Sequence, residues 1–129
     1  MTDLELLGVS AGARAKAYAP YSAFAVGAAL LTDDGRVFTG CNVENVSYGL
    51  TMCAERVAVG AAVTQGSADF RLLALTSDSK EPVVPCGACR QVLAEFSPNL
   101  RILSATVGGC SSEFRLDLLL PSARQGILG

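Results

Sequence analysis

The sequence contains no histidine. Any transition-metal centre in it must be built from sulfur and carboxylate ligands. Cations are also scarce. Ten Lys and Arg against twelve Asp and Glu give a net charge of −2, which argues against a broad nucleic-acid surface. Aromatic residues make up only 6% of the chain, so no basic, aromatic-rich platform for single strands is evident. No window approaches the roughly 18 uninterrupted apolar residues of a membrane span. The first residues, Met1 to Glu5, lack the basic and apolar regions of an export signal, and a cytoplasmic location is expected. No internal repeat or low-complexity segment interrupts the chain.

What is present is apolar and compact in length. The 129 residues read as one domain, 1–129, and half of them are hydrophobic. A chain of this size buries roughly two-thirds of its unfolded surface. A mean hydropathy of +0.39 is high for a small soluble monomer, and the excess is expected to be buried between subunits.

Five cysteines are an odd number for a disulfide framework. Read as reduced thiols, a close cluster of them more often binds metal. Two stretches carry such a cluster: Cys53-Ala54-Glu55-Arg56 and Pro85-Cys86-Gly87-Ala88-Cys89-Arg90. Zinc takes four tetrahedral ligands, and a catalytic zinc keeps three from the protein with the fourth position open. Cys86 and Cys89 are three apart and share a face if helical. Cys53 supplies a third sulfur from a separate element. Cys41 and Cys110 have no ligand-like neighbours and read as packing residues. The expected cofactor is one Zn²⁺ per chain, held by Cys53, Cys86 and Cys89.

Three thiolates on Zn²⁺ leave a formal charge of −1, which opposes ionisation of a bound water. Two helix N-termini would counter this, each equivalent to roughly +0.5 charge and each lowering thiol pKa values. Arg56 and Arg90 follow the ligands closely and are expected to donate to a sulfur. Glu55 is free of ligand duty and can shuttle protons. The competing reading makes Glu55 a first-turn helix residue in a capping role; its place between two zinc-like clusters favours the proton shuttle.

Cys53-x-Glu55 followed by Pro85-Cys86-x-x-Cys89 resembles the zinc deaminase signature in its three-cysteine variant. With Ala54 and Gly87-Ala88-Cys89-Arg90-Gln91, the resemblance is to the cytidine deaminase family in its small homotetrameric form. It runs from Tyr18-Ala-Pro-Tyr-Ser22 through Leu119-Leu120-Pro121. The resemblance implies a three-layer α-β-α sandwich with a mixed central sheet of about five strands. It also implies hydrolytic deamination of cytidine and 2′-deoxycytidine to uridine and 2′-deoxyuridine in pyrimidine salvage, with Glu55 carrying the proton. By the same resemblance Phe24 stacks on the pyrimidine, the Ala54 N–H holds the base oxygen, and carbonyls just before Cys86 receive the amino group. Asn42 and Glu44 take the ribose 3′-hydroxyl. The rest of 42–48, with Val46, Ser47 and Tyr48, lines the nucleoside pocket and a subunit contact of a homotetramer. The sequence departs from the family after Pro121, where Ser122-Ala123-Arg124-Gln125 stands in place of the usual aromatic.

The residues themselves give a coarse order of elements. Leu4, Leu7, Ala11, Ala15 and Tyr18 predict a helix over 3–18, ended by Ala19-Pro20. Ala25–Leu31 and Arg36–Val43 flank the turn signal Thr32-Asp-Asp-Gly35 and predict a hairpin. Asn42 and Glu44 share a side in extended chain and together offer a donor and a charged acceptor, which suits a sugar hydroxyl. A largely apolar helix is expected to follow Thr51 or Met52 and run to about Gln65, and a central parallel strand over 71–76. A helix over 86–96, a strand over 100–107 and a last helical turn over 116–120 follow. The pattern is αββαβαβ, a mixed sheet with helices on it.

Two other readings remain open. Blasticidin S deaminase has a similar Pro-Cys-Gly-x-Cys motif and length, although Glu44 favours a ribose ligand. A thiol–disulfide protein or structural zinc module would use Cys86 and Cys89 but leaves Cys53 and Glu55 without a role.

Overall fold

A computed structural model describes residues 1–126; the last three positions of the expected domain, 127–129, lie outside the described residues. The first helix, α1, spans Asp3–Arg14. Thr2 caps it: its hydroxyl accepts from the Glu5 amide while the Glu5 carboxylate accepts from the Thr2 amide, a reciprocal capping box. The helix stops four residues short of the expected end at 18. Tyr18 is drawn out of it by backbone pairing, donating to Asn42 O and accepting from the Glu44 amide.

The hairpin forms as expected from β1 (Val26–Thr32) and β2 (Val37–Cys41), closed at Gly35, whose φ of +86° suits a residue without Cβ. One 3-10 turn at Tyr48–Leu50 precedes α2 (Ala54–Thr64). Then follow β3 (Phe70–Ser77), α3 (Gly87–Phe96), β4 (Arg101–Thr106), β5 (Ser111–Arg115) and the short α4 (Leu116–Leu119).

The five strands form one sheet in the order β2-β1-β3-β4-β5. The central β3 is parallel to β4 but antiparallel to β1, so the expected parallel strand is parallel on one side only. The strand β5 has no apolar alternation to announce it. Its Ser-Ser-Glu-Phe-Arg sequence is extended because it pairs with β4 across a tight turn.

Side chains alternate across the sheet with the period of two that a strand imposes. Ala29, Leu31, Leu72 and Ala74 face α1 together with its Leu6. Ala28, Leu30, Leu73 and Leu75 face the other way, against Ala58 of α2 and Leu93 of α3. Both faces are thus covered, which explains the continuous apolar runs of β1 and β3 and gives the expected three layers. Each fully buried leucine stabilises the fold by roughly 2 kcal/mol.

Two glycines set how closely the helices sit. A Cβ at Gly27 would stand 2.1 Å from the Ser10 carbonyl oxygen of α1, and one at Gly40 only 2.3 Å from the Ala54 carbonyl oxygen of α2. The second contact seats the first turn of α2 on β2.

Candidate metal centre and pocket

Cys53 and Cys86 are the residues that cap α2 and α3, each with extended backbone. Both clusters therefore open helices, as the sequence predicts. Cys89 lies in the first turn of α3 and is fully buried. The three sulfurs lie within 4.8 Å of one another, with Cys53 and Cys86 Sγ 3.9 Å apart. A tetrahedral zinc with bonds of about 2.3 Å places its sulfurs about 3.8 Å apart. The trio fits that ion. Among the described residues no fourth Cys, Asp or Glu joins this cluster.

Cys41 and Cys110 lie away from the cluster, as expected, but the packing reading fails for Cys110, which the turn leaves exposed, and holds only in part for the half-buried Cys41. Cys41 Sγ donates to Lys16 O at 3.5 Å, and Cys110 is exposed in the turn before β5.

The charges around the sulfurs are arranged for thiolate. Arg56 Nη2 approaches Cys53 Sγ at 3.7 Å and Thr51 O at 3.3 Å. The Cys53 thiol falls to about 5, because the Cys89 thiol donates to it, with smaller help from Arg56 and Cys86. The Cys89 thiol is pushed up by the same contact with Cys53 and by burial. A metal ion binds the thiolate forms, so its binding releases thiol protons. Arg90 departs from expectation. Its Nε donates to Pro85 O at 2.7 Å and its Nη1 to Leu119 O at 3.2 Å. It fixes the carbonyl before Cys86 instead of bonding a sulfur.

Glu55 is the second residue of α2 and is 6% exposed. Burial lifts its carboxyl to about 7, and the negative Cys53 adds to the rise. A carboxyl balanced near neutrality can both accept and release a proton.

A cavity of about 400 Å³ opens beside these groups. The start of α2 contributes Cys53, Ala54 and Glu55 to its lining, and Phe24, Val26, Val83 and Val84 give it apolar surface. Ser22, Asn42, Glu44, Tyr48 and Thr51 add polar groups. The lining thus brings together Phe24, Asn42, Glu44, Tyr48, Ala54 and Glu55 from the sequence reading. Val46 and Ser47 are not among it; Val46 is 81% exposed on the neighbouring loop.

Asn42 and Glu44 are already partly engaged. Asn42 Oδ1 accepts from the Val26 amide at 2.9 Å, and its Nδ2 donates to Phe24 O at 2.8 Å. Glu44 Oε1 accepts from the Tyr21 and Ser22 amides, and Oε2 accepts from the Ser22 hydroxyl. These contacts hold the Glu44 carboxyl below the usual carboxylate range, the Ser22 hydroxyl most of all. Sequence reasoning missed Ser22, Val26, Thr51, Val83 and Val84. No local signal marks them, since each reaches the cavity through the path of its loop or, for Val26, through the placement of the first residue of β1.

The segment after Pro121 folds back on the molecule. Arg124 Nε donates to Ala94 O at 3.1 Å and its Nη2 to Glu95 O, while Gln91 Nε2 donates to Ala123 O at 3.0 Å. Arg124 thus caps the C-terminal carbonyls of α3, where a cation is favourable.

A three-layer sandwich whose two helix starts converge three sulfurs beside a buried carboxyl defines a zinc-site deaminase architecture. A family model described as the cytidine and deoxycytidylate deaminase zinc-binding region matches residues 1–104. The cytidine deaminase of Sporosarcina psychrophila is 47% identical over 123 residues, covering 94% of this chain and 90% of that one. The crystal structure of cytidine deaminase from Burkholderia pseudomallei superposes with a TM-score of 0.91 at 46% identity, covering 95% of this chain and 98% of that one. The crystal structure of the Mycobacterium tuberculosis enzyme of the same name gives 0.81 at 48% identity, covering 95% and 97%. The chain belongs to the cytidine and deoxycytidylate deaminase zinc-binding family, and it is a hydrolase.

Proposed function

We propose that the protein deaminates cytidine and 2′-deoxycytidine hydrolytically, giving the uridine nucleosides and ammonia. The observation that carries this is the buried Glu55 carboxyl beside a three-sulfur zinc site, inside a cavity of nucleoside size. A zinc ion held by Cys53, Cys86 and Cys89 supplies Lewis acidity that activates water for attack on the ring carbon.

The chain's own groups do the rest. Glu55 accepts the proton from that water and delivers it to N3 of the ring. It then takes the proton of the new C4 hydroxyl and hands it to the amino nitrogen, which leaves as ammonia while the C4 carbonyl forms. Ala54 is the first residue of α2, and its amide is one of the four that a helix leaves without an internal partner; it is directed to the base oxygen. The Pro85 carbonyl, anchored by Arg90, receives the amino group. Phe24 covers the ring face. A carboxylate offers about four acceptor positions and an amide nitrogen two donors. With three contacts to Glu44 and one from Asn42 Nδ2 made within the chain, one acceptor and one donor are left. A single sugar hydroxyl uses both.

Val46, Tyr48 and Leu50 are 81%, 70% and 66% exposed on the loop beside the cavity. This apolar loop fits burial against further copies of the chain, in a homotetramer whose sites lie near subunit contacts. Solution mass tests that assembly. The five cysteines are all free, which suits the reducing cytoplasm. No helix among the described residues is long and apolar enough to cross a membrane.

The test is ammonia release from cytidine and from blasticidin S, side by side, with zinc measured on the same sample. Activity on cytidine with about one zinc per chain is expected. Activity on blasticidin S alone would reassign the substrate, and a metal-free, redox-active protein would overturn the proposal.

A further inference from the structure

Glu44 is buried, at 5% exposure, and forms no ion pair among the described residues. Its charge rests on three hydrogen bonds from one short stretch: the Tyr21 amide at 3.0 Å, the Ser22 amide at 3.2 Å and the Ser22 hydroxyl at 2.5 Å. Hydrogen bonds to an ionised acceptor are the strong ones. The Ser22 oxygen makes a second contact, accepting from the Phe24 amide at 3.0 Å. One side chain therefore ties the acidic wall of the cavity to the backbone that carries its aromatic wall.

Between these two points the backbone is strained. Ala23 has φ +57°, a left-handed conformation that only one other non-glycine residue among those described adopts. Such a conformation costs on the order of 1–2 kcal/mol for a residue with a Cβ. It persists where surrounding bonds impose it, and it marks sites whose geometry matters. Here the Ala23 amide is bound to Ala19 O, Phe24 O is bound by Asn42, and Ser22 bridges across the bend. The turn holds one orientation of Phe24 and one orientation of the Glu44 carboxylate together.

We infer that Ser22 is a positioning residue for substrate binding: its hydroxyl orients Glu44 toward the ligand's sugar hydroxyl while locking the turn that presents Phe24. This rests on the nucleoside reading of the cavity. Ser22 touches no reacting atom, and the step it supports is binding, not proton transfer. Removing it leaves Glu55 and the sulfurs unaltered, so the loss falls on KM. It also falls chiefly on ligands that carry the hydroxyl Glu44 receives.

The test compares wild type, Ser22→Ala and Ser22→Thr on 2′-deoxycytidine and 2′,3′-dideoxycytidine, with kcat, KM and Tm measured for each. Loss of a hydrogen bond to a charged group predicts a KM rise of about tenfold or more for Ser22→Ala on 2′-deoxycytidine. On the dideoxy substrate the rise should be several times smaller. The kcat should stay within about twofold of wild type, and Ser22→Thr should recover most of the lost affinity. Should Ser22→Ala fail to fold, Ser22→Cys offers the same comparison with a weak donor in place. An equal KM rise on both substrates, an unchanged KM, or a loss confined to kcat would each overturn the inference. Wild type inert on both nucleosides would overturn the substrate reading itself, an outcome distinct from an active wild type that Ser22→Ala leaves unaltered.

Discussion

Gly40 of β2 lies directly against Ala54 of α2, so that a Cβ at position 40 would meet the Ala54 carbonyl oxygen at 2.3 Å and the Ala58 amide at 2.6 Å. Both contacts are backbone, and neither can swing aside. The sheet thereby fixes the turn that carries Cys53, Ala54 and Glu55.

Gly40→Ala should consequently act on the site as well as the core. Overpacking of this kind costs typically 1–3 kcal/mol, or about that order. Urea denaturation should show the loss, and zinc retained after desalting should fall with it. A variant of unaltered stability and zinc content would show that the contact relaxes without moving α2.

Glu55→Gln keeps the volume and burial of the side chain but cannot carry the proton. Turnover should fall by about 10² to 10⁴, the scale of general acid–base catalysis. Fold, by circular dichroism, and zinc content should match wild type. Near-normal cytidine turnover in this variant would remove Glu55 from the proposed proton path.

Arg56 lies 3.7 Å from the Cys53 sulfur, and its Nε is buried without a partner. Arg56→Ala should raise the Cys53 thiol from its value of about 5 toward the ordinary range. Alkylation rate against pH in chelator-treated protein reads this directly. The thiolate limb should move to higher pH. A superimposable profile would mean that the Cys89 contact alone sets the value.

Asp78 fastens the end of β3 to the start of β1 and to α1, accepting from the Ala25 amide at 2.8 Å and from Arg14 at 2.6 Å. These bonds, the Ala25 amide foremost, lower its folded pKa. A depressed carboxyl stabilises the fold above its unfolded value of about 3.9, and that contribution is lost as pH falls through the folded value. The Tm difference between wild type and Asp78→Asn should be largest at neutral pH and shrink below about pH 4. A difference independent of pH would assign the effect to shape alone.

Ser104 on β4 is fully buried and its hydroxyl has no hydrogen-bond partner. An unpaired buried hydroxyl costs about 1–3 kcal/mol. Ser104→Ala should accordingly leave stability unchanged or raise it by about 1 kcal/mol. Destabilisation in urea would reveal a partner for this hydroxyl, such as a buried water.

The metal ligands were the most legible part of the sequence because their chemistry is local. Cys86-x-x-Cys89 sets two sulfurs on one helical turn, and Cys53-x-Glu55 sets a sulfur and a carboxyl at the start of another. The cavity walls were less legible. Val83, Val84 and Ser22 all read as loop, because their contacts depend on chain paths dozens of residues apart. The apolar stripe predicts α1 four residues too long for a related reason. Tyr18 continues the apolar stripe, yet its backbone groups pair with residues 42 to 44 instead of with the preceding turn.

By itself the sequence determined the donor set, the continuous apolar runs of the central strands, and the helix starts at the two cysteine clusters. Each of these follows from spacing along the chain, through the fixed periods of helix and strand. Tertiary structure alone decided that β5 is a strand, that Arg90 holds a carbonyl and not a sulfur, and that Glu44 answers to Ser22. Those outcomes depend on which groups meet across the fold, where hydrogen-bond geometry and desolvation act over a few ångströms and sequence separation has no meaning.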